Sequence, residues 1–261
     1  MDPSNEFEHP PYHERYCAFV DILGFGSLVN RLSQREGAFQ SLRKLLSQVH
    51  NPEKGTTKSW HTEFRAQSIS DAVAISTLPN SVGIVELMNA TQNLTLELLH
   101  LGYFVRGATV KGMLYHDENM VFGEALVRAY QLEREVVRFP RIMVLSNVVE
   151  DVLRYCNQHQ LGIEVSKRLR RADDGPWHVH VLRGLELLHE NPRAAPNPAH
   201  HDSIFFEHCR MRIAGRLEQA VDNPRHFEKV KWFVNYWNAI NLPLTGGITM
   251  INWPSDPPIP F

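Results

Sequence analysis

The stretch YCAFVDILGF, residues 16–25, decides how the rest of the chain is read. It opens with five uncharged, strand-prone residues, meets its first charge at Asp21, and runs into Gly24 and Gly26. A short apolar run bounded by glycines predicts a buried β-strand with a carboxylate at its mouth and a turn beyond. After the turn, Leu28, Leu32, Phe39, Leu42, Leu46 and Val49 recur at steps of three, four or seven, one face of an amphipathic helix. NPEKGTTK, residues 51–58, has loop chemistry.

Working outward, EFRAQSISDAVAIST (63–77) predicts a hairpin with Ser70 and Asp71 at its bend. Residues 81–101 form a second amphipathic pattern through Ile84, Leu87, Leu94, Leu98 and Leu101, and Gly102 suits the helix C-terminus. YFVRGATVKGML (103–114) predicts a strand pair or one long bent strand. A helix follows over 124–137, then the strand RIMVLS (141–146), with Ser146 as the cap of a further helix. The order is β-α-β-β-α-β followed by an α-β extension. That order predicts a ferredoxin-like α+β core, with an antiparallel sheet and two helices on one face. WHVHVLR (177–183) alternates like a half-buried strand, 189–202 is loop, and helices over 205–221 and 224–240 make a helical C-terminal extension. With no internal repeat or long linker, one domain is expected: a core over about 16–160 and an extension over about 161–261.

Composition narrows the function classes. Lys and Arg number 27 against 29 Asp and Glu, a balance that argues against general nucleic-acid binding, which depends on neutralising phosphates. Cys17, Cys156 and Cys209 are odd in number and far apart, so no disulfide framework is expected and a reducing, cytoplasmic setting fits. The polar, Pro-containing start lacks a signal-peptide core. No apolar run approaches the roughly 20 residues that span a bilayer, so no membrane partner is expected.

Asp21 and Asp71 stand out by position. If the first strand lies beside the hairpin, both carboxylates converge at one sheet end, where they suit two hard divalent ions with a triphosphate as the remaining ligand. The amides of Gly24, Phe25 and Gly26, opening a helix, would then hold phosphate oxygens. The alternative for each aspartate is a local Asx-turn or cap.

The residues carry a family resemblance. FVDILGF (19–25) resembles the first metal motif of class III adenylyl and guanylyl cyclases, and SISDAVAIS (68–76) resembles their second metal strand. FGEALVRAYQLE (122–133) is similar to their Gly-x-x-Val-Asn-x-Ala-x-Arg-Leu-Glu helix, and the three stand in the family's order. The resemblance implies that Asp21 and Asp71 bind two Mg²⁺ or Mn²⁺ ions, helped by the backbone carbonyl of Ile22. It further implies attack of a ribose 3′-hydroxyl on the α-phosphorus of a nucleoside triphosphate within a homodimer.

The chain also departs from that pattern. Val127 and Gln131 fall where the family has its ribose-orienting Asn and transition-state Arg, and neither can replace them. Arg106 is the candidate replacement for triphosphate contact, with Arg128 and Arg134 behind it, the alternative for Arg106 being a surface ion pair. Gln67 and Met120 occupy the adenine-reading positions. Gln67 can read uracil or cytosine through its two-sided amide, or face solvent. Absent purine readers with retained aspartates resemble the Pycsar antiphage pyrimidine cyclases. That resemblance implies conversion of UTP to cyclic UMP, alternatively of CTP to cyclic CMP, and a functional link to an effector that senses the product. A catalytically inactive nucleotide-binding or dimerisation module is the rival reading.

Other signals point elsewhere. Trp60, Phe64 and Tyr115 have rings that can stack on a base, but core packing is the expected role of each. His178, His180, His189, His200, His201 and His208 with Cys209 match no zinc spacing. KRLRR (167–171), answered by Asp173 and Asp174, predicts a solvated helix face.

Overall fold

The computed structural model describes residues 12–26, 62–158, 166–190, 203–240 and 250–254, with the helical positions Gly37, Gln40, Arg43, Lys44 and Ser47. Most of the helix expected over 28–49, the loop at 51–58, Trp60 and His200–201 lie outside the described residues.

The first four long strands are β1 (His13–Ile22), β2 (Arg65–Ile69), β3 (Ala72–Thr77) and β4 (Val105–His116), with α1 (Ser81–His100) between the last two. They lie side by side as β2-β3-β1-β4, every pair antiparallel. This is the strand order of the ferredoxin-like core that the element sequence predicts. The chain continues through β5 (Val121–Phe122), α2 (Glu124–Glu135), β6 (Ile142–Val144) and α3 (Ser146–Gln158). β6 joins β4 in parallel, and β8 (Trp177–Val179) and β7 (Leu169–Arg171) extend that edge. Helices α4 (Arg183–Glu190), α5 (Ser203–Gln219) and α6 (Pro224–Ile240) close the described chain. The protein is thus a mixed α+β fold with a mostly antiparallel sheet and C-terminal helices.

Alternation along β1 sorts its residues between two faces. Tyr16, Ala18, Val20 and Ile22 point to the large core, where they meet Ile84, Leu87 and Leu98 of α1 and Phe206, Ile213, Phe233 and Trp237 of the C-terminal helices. Cys17 and Phe19 point the other way, onto Val110 and Leu114 of β4 and onto Ala125 and Ala129 of α2. Of the two helices expected on a common face, α1 covers the large core and most of the other lies outside the described residues; α2 covers the opposite face.

Local chemistry explains the element ends. The Asn80 side chain accepts from the Gly83 N–H at 2.8 Å, satisfying one orphan donor of α1. Gly102 follows the helix at φ +88°, a conformation that favours glycine. Gly107 is required by close approach: a Cβ there would stand 2.2 Å from the Phe19 carbonyl oxygen, so β1 and β4 pack tightly beside the site only because it is bare.

Of the two forms expected for residues 103–114, the single long strand is the one found: pairing with β1 runs unbroken and β4 extends over the 12 residues Val105–His116. Two expectations need correction. Ser146 does not cap α3, because the Val149 N–H bonds to the Leu145 carbonyl at 3.0 Å and Ser146 lies inside the first turn. The basic run is no helix face: Leu169–Arg171 is strand β7, paired with β8, and Arg168 donates to Gln92 while Arg170 pairs with Glu186.

Candidate active site

The backbone brings the two aspartates to one sheet end. Asp21, next to last in β1, stands opposite Ala72 on β3 and Arg106 on β4. The hairpin bends at Ser70, whose φ of +57° places Asp71 at the turn. The Ile22 N–H then donates to the Asp71 carbonyl at 3.0 Å, and the Leu23 N–H to the Phe104 carbonyl at 2.9 Å. These two bonds tie the exit of β1 to the hairpin bend on one side and to the entry of β4 on the other.

Arg106 rises between the strands on the Asp21 side. Its Nε lies 3.3 Å from Asp21 Oδ2 and 2.5 Å from Glu133 Oε1. Glu133 is only 4% exposed at its side chain and comes from α2, on the same stripe as buried Ala125 and Ala129. One guanidinium therefore serves two carboxylates directly, with Asp71 close enough to act on both through its charge. Burial pushes the Asp21 carboxyl above the usual range, although Arg106 pulls it down and Asp71 adds to the rise. Burial likewise raises Glu133 to about 7, against the pull of Arg106 and with the help of Asp21 and Asp71.

This cluster carries an excess of negative charge, built from hard oxygen ligands. Such a set suits Mg²⁺ or Mn²⁺, and a triphosphate would complete the coordination. Among the described residues no group of three or more His, Cys, Asp or Glu forms a metal cage, so substrate oxygens and the Ile22 carbonyl would have to supply the rest. Within those limits the residues fit a divalent ion.

The remaining candidates spread around this centre. Gly24 is exposed at φ +78°, and Phe25 and Gly26 begin a helix, with Phe25 half-buried against the core. Gln67 lies on the Asp21 face of the sheet, and its Nε2 donates to the Asn119 carbonyl at 2.9 Å. Val127 and Gln131 are exposed on α2, as are Arg128 and Arg134. Arg134 donates to the Tyr130 hydroxyl at 3.4 Å. Phe64 packs against the large core, while Tyr115 stacks on Phe122 at 5.0 Å and donates to Asp117.

Among the described residues the histidines do not converge. His178 is buried against the Trp232 and Tyr236 rings, and His180 lies 2.9 Å from Glu186 and 2.6 Å from the Tyr236 hydroxyl. His208, on the far helix α5, faces His100 instead.

Glu133 is the residue that the sequence reading missed. The usable signal was spacing: a glutamate four and eight residues after two alanines shares their face, and that face is buried.

No family model and no curated protein matches the chain. Among solved structures, a bacterial light-regulated adenylyl cyclase aligns with a TM-score of 0.36 and 14% identity over 55% of this chain. The aligned region spans 45% of that cyclase's chain, less than half its length. No helix among the described residues is long and apolar enough to cross a membrane.

Proposed function

We propose that this protein is a nucleotidyl cyclase acting on a pyrimidine nucleoside triphosphate. The observation that carries the reading is the convergence of Asp21 and Asp71 at one sheet end, tied by the Ile22–Asp71 backbone bond and flanked by Arg106. The sequence motifs around both aspartates supply the reaction class, since each resembles a metal strand of class III cyclases.

In this reading the ribose 3′-hydroxyl gives its proton to water, its oxygen forms a bond to the α-phosphorus, the α–β phosphoanhydride bond breaks, and pyrophosphate leaves with the electron pair. Asp21, Asp71 and the Ile22 carbonyl would hold two divalent ions, which acidify the 3′-hydroxyl and neutralise the leaving charge. The chain's own residues position the substrate, the larger share of the task in a phosphoryl-group reaction. Amides at Gly24, Phe25 and Gly26 would take phosphate oxygens, and Arg106 would add a guanidinium to the triphosphate. Gln67, with its amide nitrogen already on the Asn119 carbonyl, would offer its carbonyl oxygen to a base donor. The uracil N3–H and the cytosine amino group both qualify, and UTP is the substrate we place first. A homodimer, a cytoplasmic location and an effector responsive to the cyclic product, in antiphage defence, belong to the same proposal through the Pycsar resemblance.

Incubation of the purified protein with each of the four ribonucleoside triphosphates and Mn²⁺, with products identified by mass, tests it. Cyclic UMP is expected, and cyclic CMP would exchange the base only. Cyclic AMP or GMP would overturn the pyrimidine assignment. A specific observation favours a second reading: Arg106 is engaged by Asp21 and Glu133, and the exposed Val127 and Gln131 lack the usual functional groups. A folded protein without product would support that inactive nucleotide-binding module.

A further inference from the structure

We infer that Glu133 is a positioning residue that divides the Arg106 guanidinium with Asp21 and so sets how readily Asp21 accepts a divalent cation. The inference rests on the proposed metal-binding role of Asp21.

The argument begins with the competition for one charge. Arg106 Nε hydrogen-bonds Asp21 Oδ2 at 3.3 Å and lies 2.5 Å from Glu133 Oε1, so Asp21 holds the directed bond while Glu133 makes the shorter charge contact. Asp21 is 16% exposed and Glu133 is 4% exposed at their side chains, an environment with little water to screen the contest. A half-buried guanidinium cannot shed its proton, so it pairs with whichever carboxylates remain in reach. Without the Glu133 charge it would turn wholly to Asp21, with Asp71 nearby, and would occupy the carboxylate that a metal needs. With Glu133 present, a cation arriving at Asp21 displaces Arg106 only partway, onto a partner already in contact.

The fold keeps the two competitors on separate elements. Asp21 is fixed by the β1 backbone and its bond to the hairpin bend, whereas Glu133 is fixed by packing of Ala125 and Ala129 against the sheet. A guanidinium freed from Asp21 is thereby retained at the rim of the cluster instead of being lost to solvent. Glu133 is then an anchor for Arg106 and not itself a ligand.

The test measures Mn²⁺ affinity of the purified protein by water-proton relaxation or electron paramagnetic resonance, without substrate. Glu133→Gln should weaken Mn²⁺ binding about tenfold, the scale of coupling between contacting charges. Arg106→Gln should tighten it. In the Arg106→Gln background, Glu133→Gln should cost several-fold less than it does alone, because its action runs through Arg106. Glu133→Asp, which keeps the charge, should restore part of the affinity. The same fold-loss from Glu133→Gln in both backgrounds would overturn the inference and make Glu133 a ligand or a simple field. Unchanged affinity in folded Glu133→Gln protein would overturn it as well, leaving a structural pair. A wild-type protein that binds no Mn²⁺ refutes the metal reading itself, a result distinct from the other two.

Discussion

Glu133 on α2 presses on the Arg106 Nε from 2.5 Å, closer than Asp21 on the neighbouring strand at 3.3 Å. The candidate site is thus not a property of the sheet alone. Arg106, the cation at its centre, is shared with a helix that covers the smaller of the two sheet faces, so movement of α2 against the sheet would alter the charge balance at Asp21. The first candidate aspartate is built into strand pairing, while its counter-ion depends on packing of Ala125 and Ala129.

Asp71 offers the cleanest separation of chemistry from folding. It occupies a hairpin bend and is half-exposed, so Asp71→Ala should leave the melting temperature within a few degrees of wild type. If Asp71 holds a metal ion of a cyclase as proposed, its loss should lower cyclic-nucleotide formation by roughly 100-fold or more, the scale seen when a group that stabilises developing charge is removed. Thermal denaturation and mass analysis of products check the two halves independently. Full activity in the folded variant would end the assignment of Asp71 as a ligand.

The sequence made the sheet end legible and its centre only partly so. Asp21 and Asp71 announce themselves because each interrupts an apolar strand at a turn, and turn chemistry is local. Glu133 does not, because a glutamate within LERE on a helix ordinarily faces water; only the register of α2 on the sheet puts it inside. The same limit explains KRLRR, whose charges suit a helix surface until pairing of Leu169–Arg171 with β8 makes them a strand edge. Ser146 misled by one position, a common error where propensity marks a helix start but tertiary contacts choose the first turn.

Gly107 should tolerate no side chain. A Cβ there would meet the Phe19 carbonyl oxygen at 2.2 Å and the Val20 Cα at 3.2 Å, both backbone atoms that cannot swing aside. Gly107→Ala should therefore destabilise the fold by about 3 kcal/mol, the upper range for overpacking. Because Gly107 adjoins Arg106, the surviving folded fraction should also bind Mn²⁺ more weakly. Denaturant melts followed by metal titration measure both effects, and a variant as stable as wild type would contradict the close approach.

Acid should destabilise the protein through His178. Its ring is buried between Trp232 and Tyr236, its Nδ1 donates to the Val179 carbonyl, and Arg141 and Arg170 crowd it with positive charge. Burial first, then those charges, lower it from 6.5 to about 4. Below pH 6.5 the unfolded chain gains a proton that the folded chain refuses, so this contribution is complete above 6.5 and is lost down to about pH 4. At 1.36 kcal/mol per unit the loss approaches about 3 kcal/mol as an upper bound. Glu133, raised to about 7, acts oppositely, since the folded state holds its proton between about pH 7 and 4.5. The His178→Gln minus wild-type difference isolates the histidine: denaturant midpoints should converge as pH falls from 7 to 4. A gap that stays constant over that range would remove His178 as the cause.

Asn238 should govern the segment at 250–254. Its Nδ2 donates to the Ile251 carbonyl at 3.0 Å and its Oδ1 accepts the Ile251 N–H at 2.9 Å, so one side chain satisfies both backbone groups of a residue that is 2% exposed. Trp253 adds contacts with half-buried Phe227 and exposed Lys231 of α6, but these leave Trp253 itself 45% exposed. Removing both hydrogen bonds in Asn238→Ala should cost roughly 2 kcal/mol, and the cost should fall on this segment rather than on the core. Exchange of the Ile251 amide with deuterium should accelerate about 30-fold, with the core amides unchanged. Asn238→Asp, which keeps the acceptor and loses the donor, should lie between. Equal slowing of exchange in all three proteins would show that Ile251 is held by apolar burial alone, and the asparagine would then lose its assigned role.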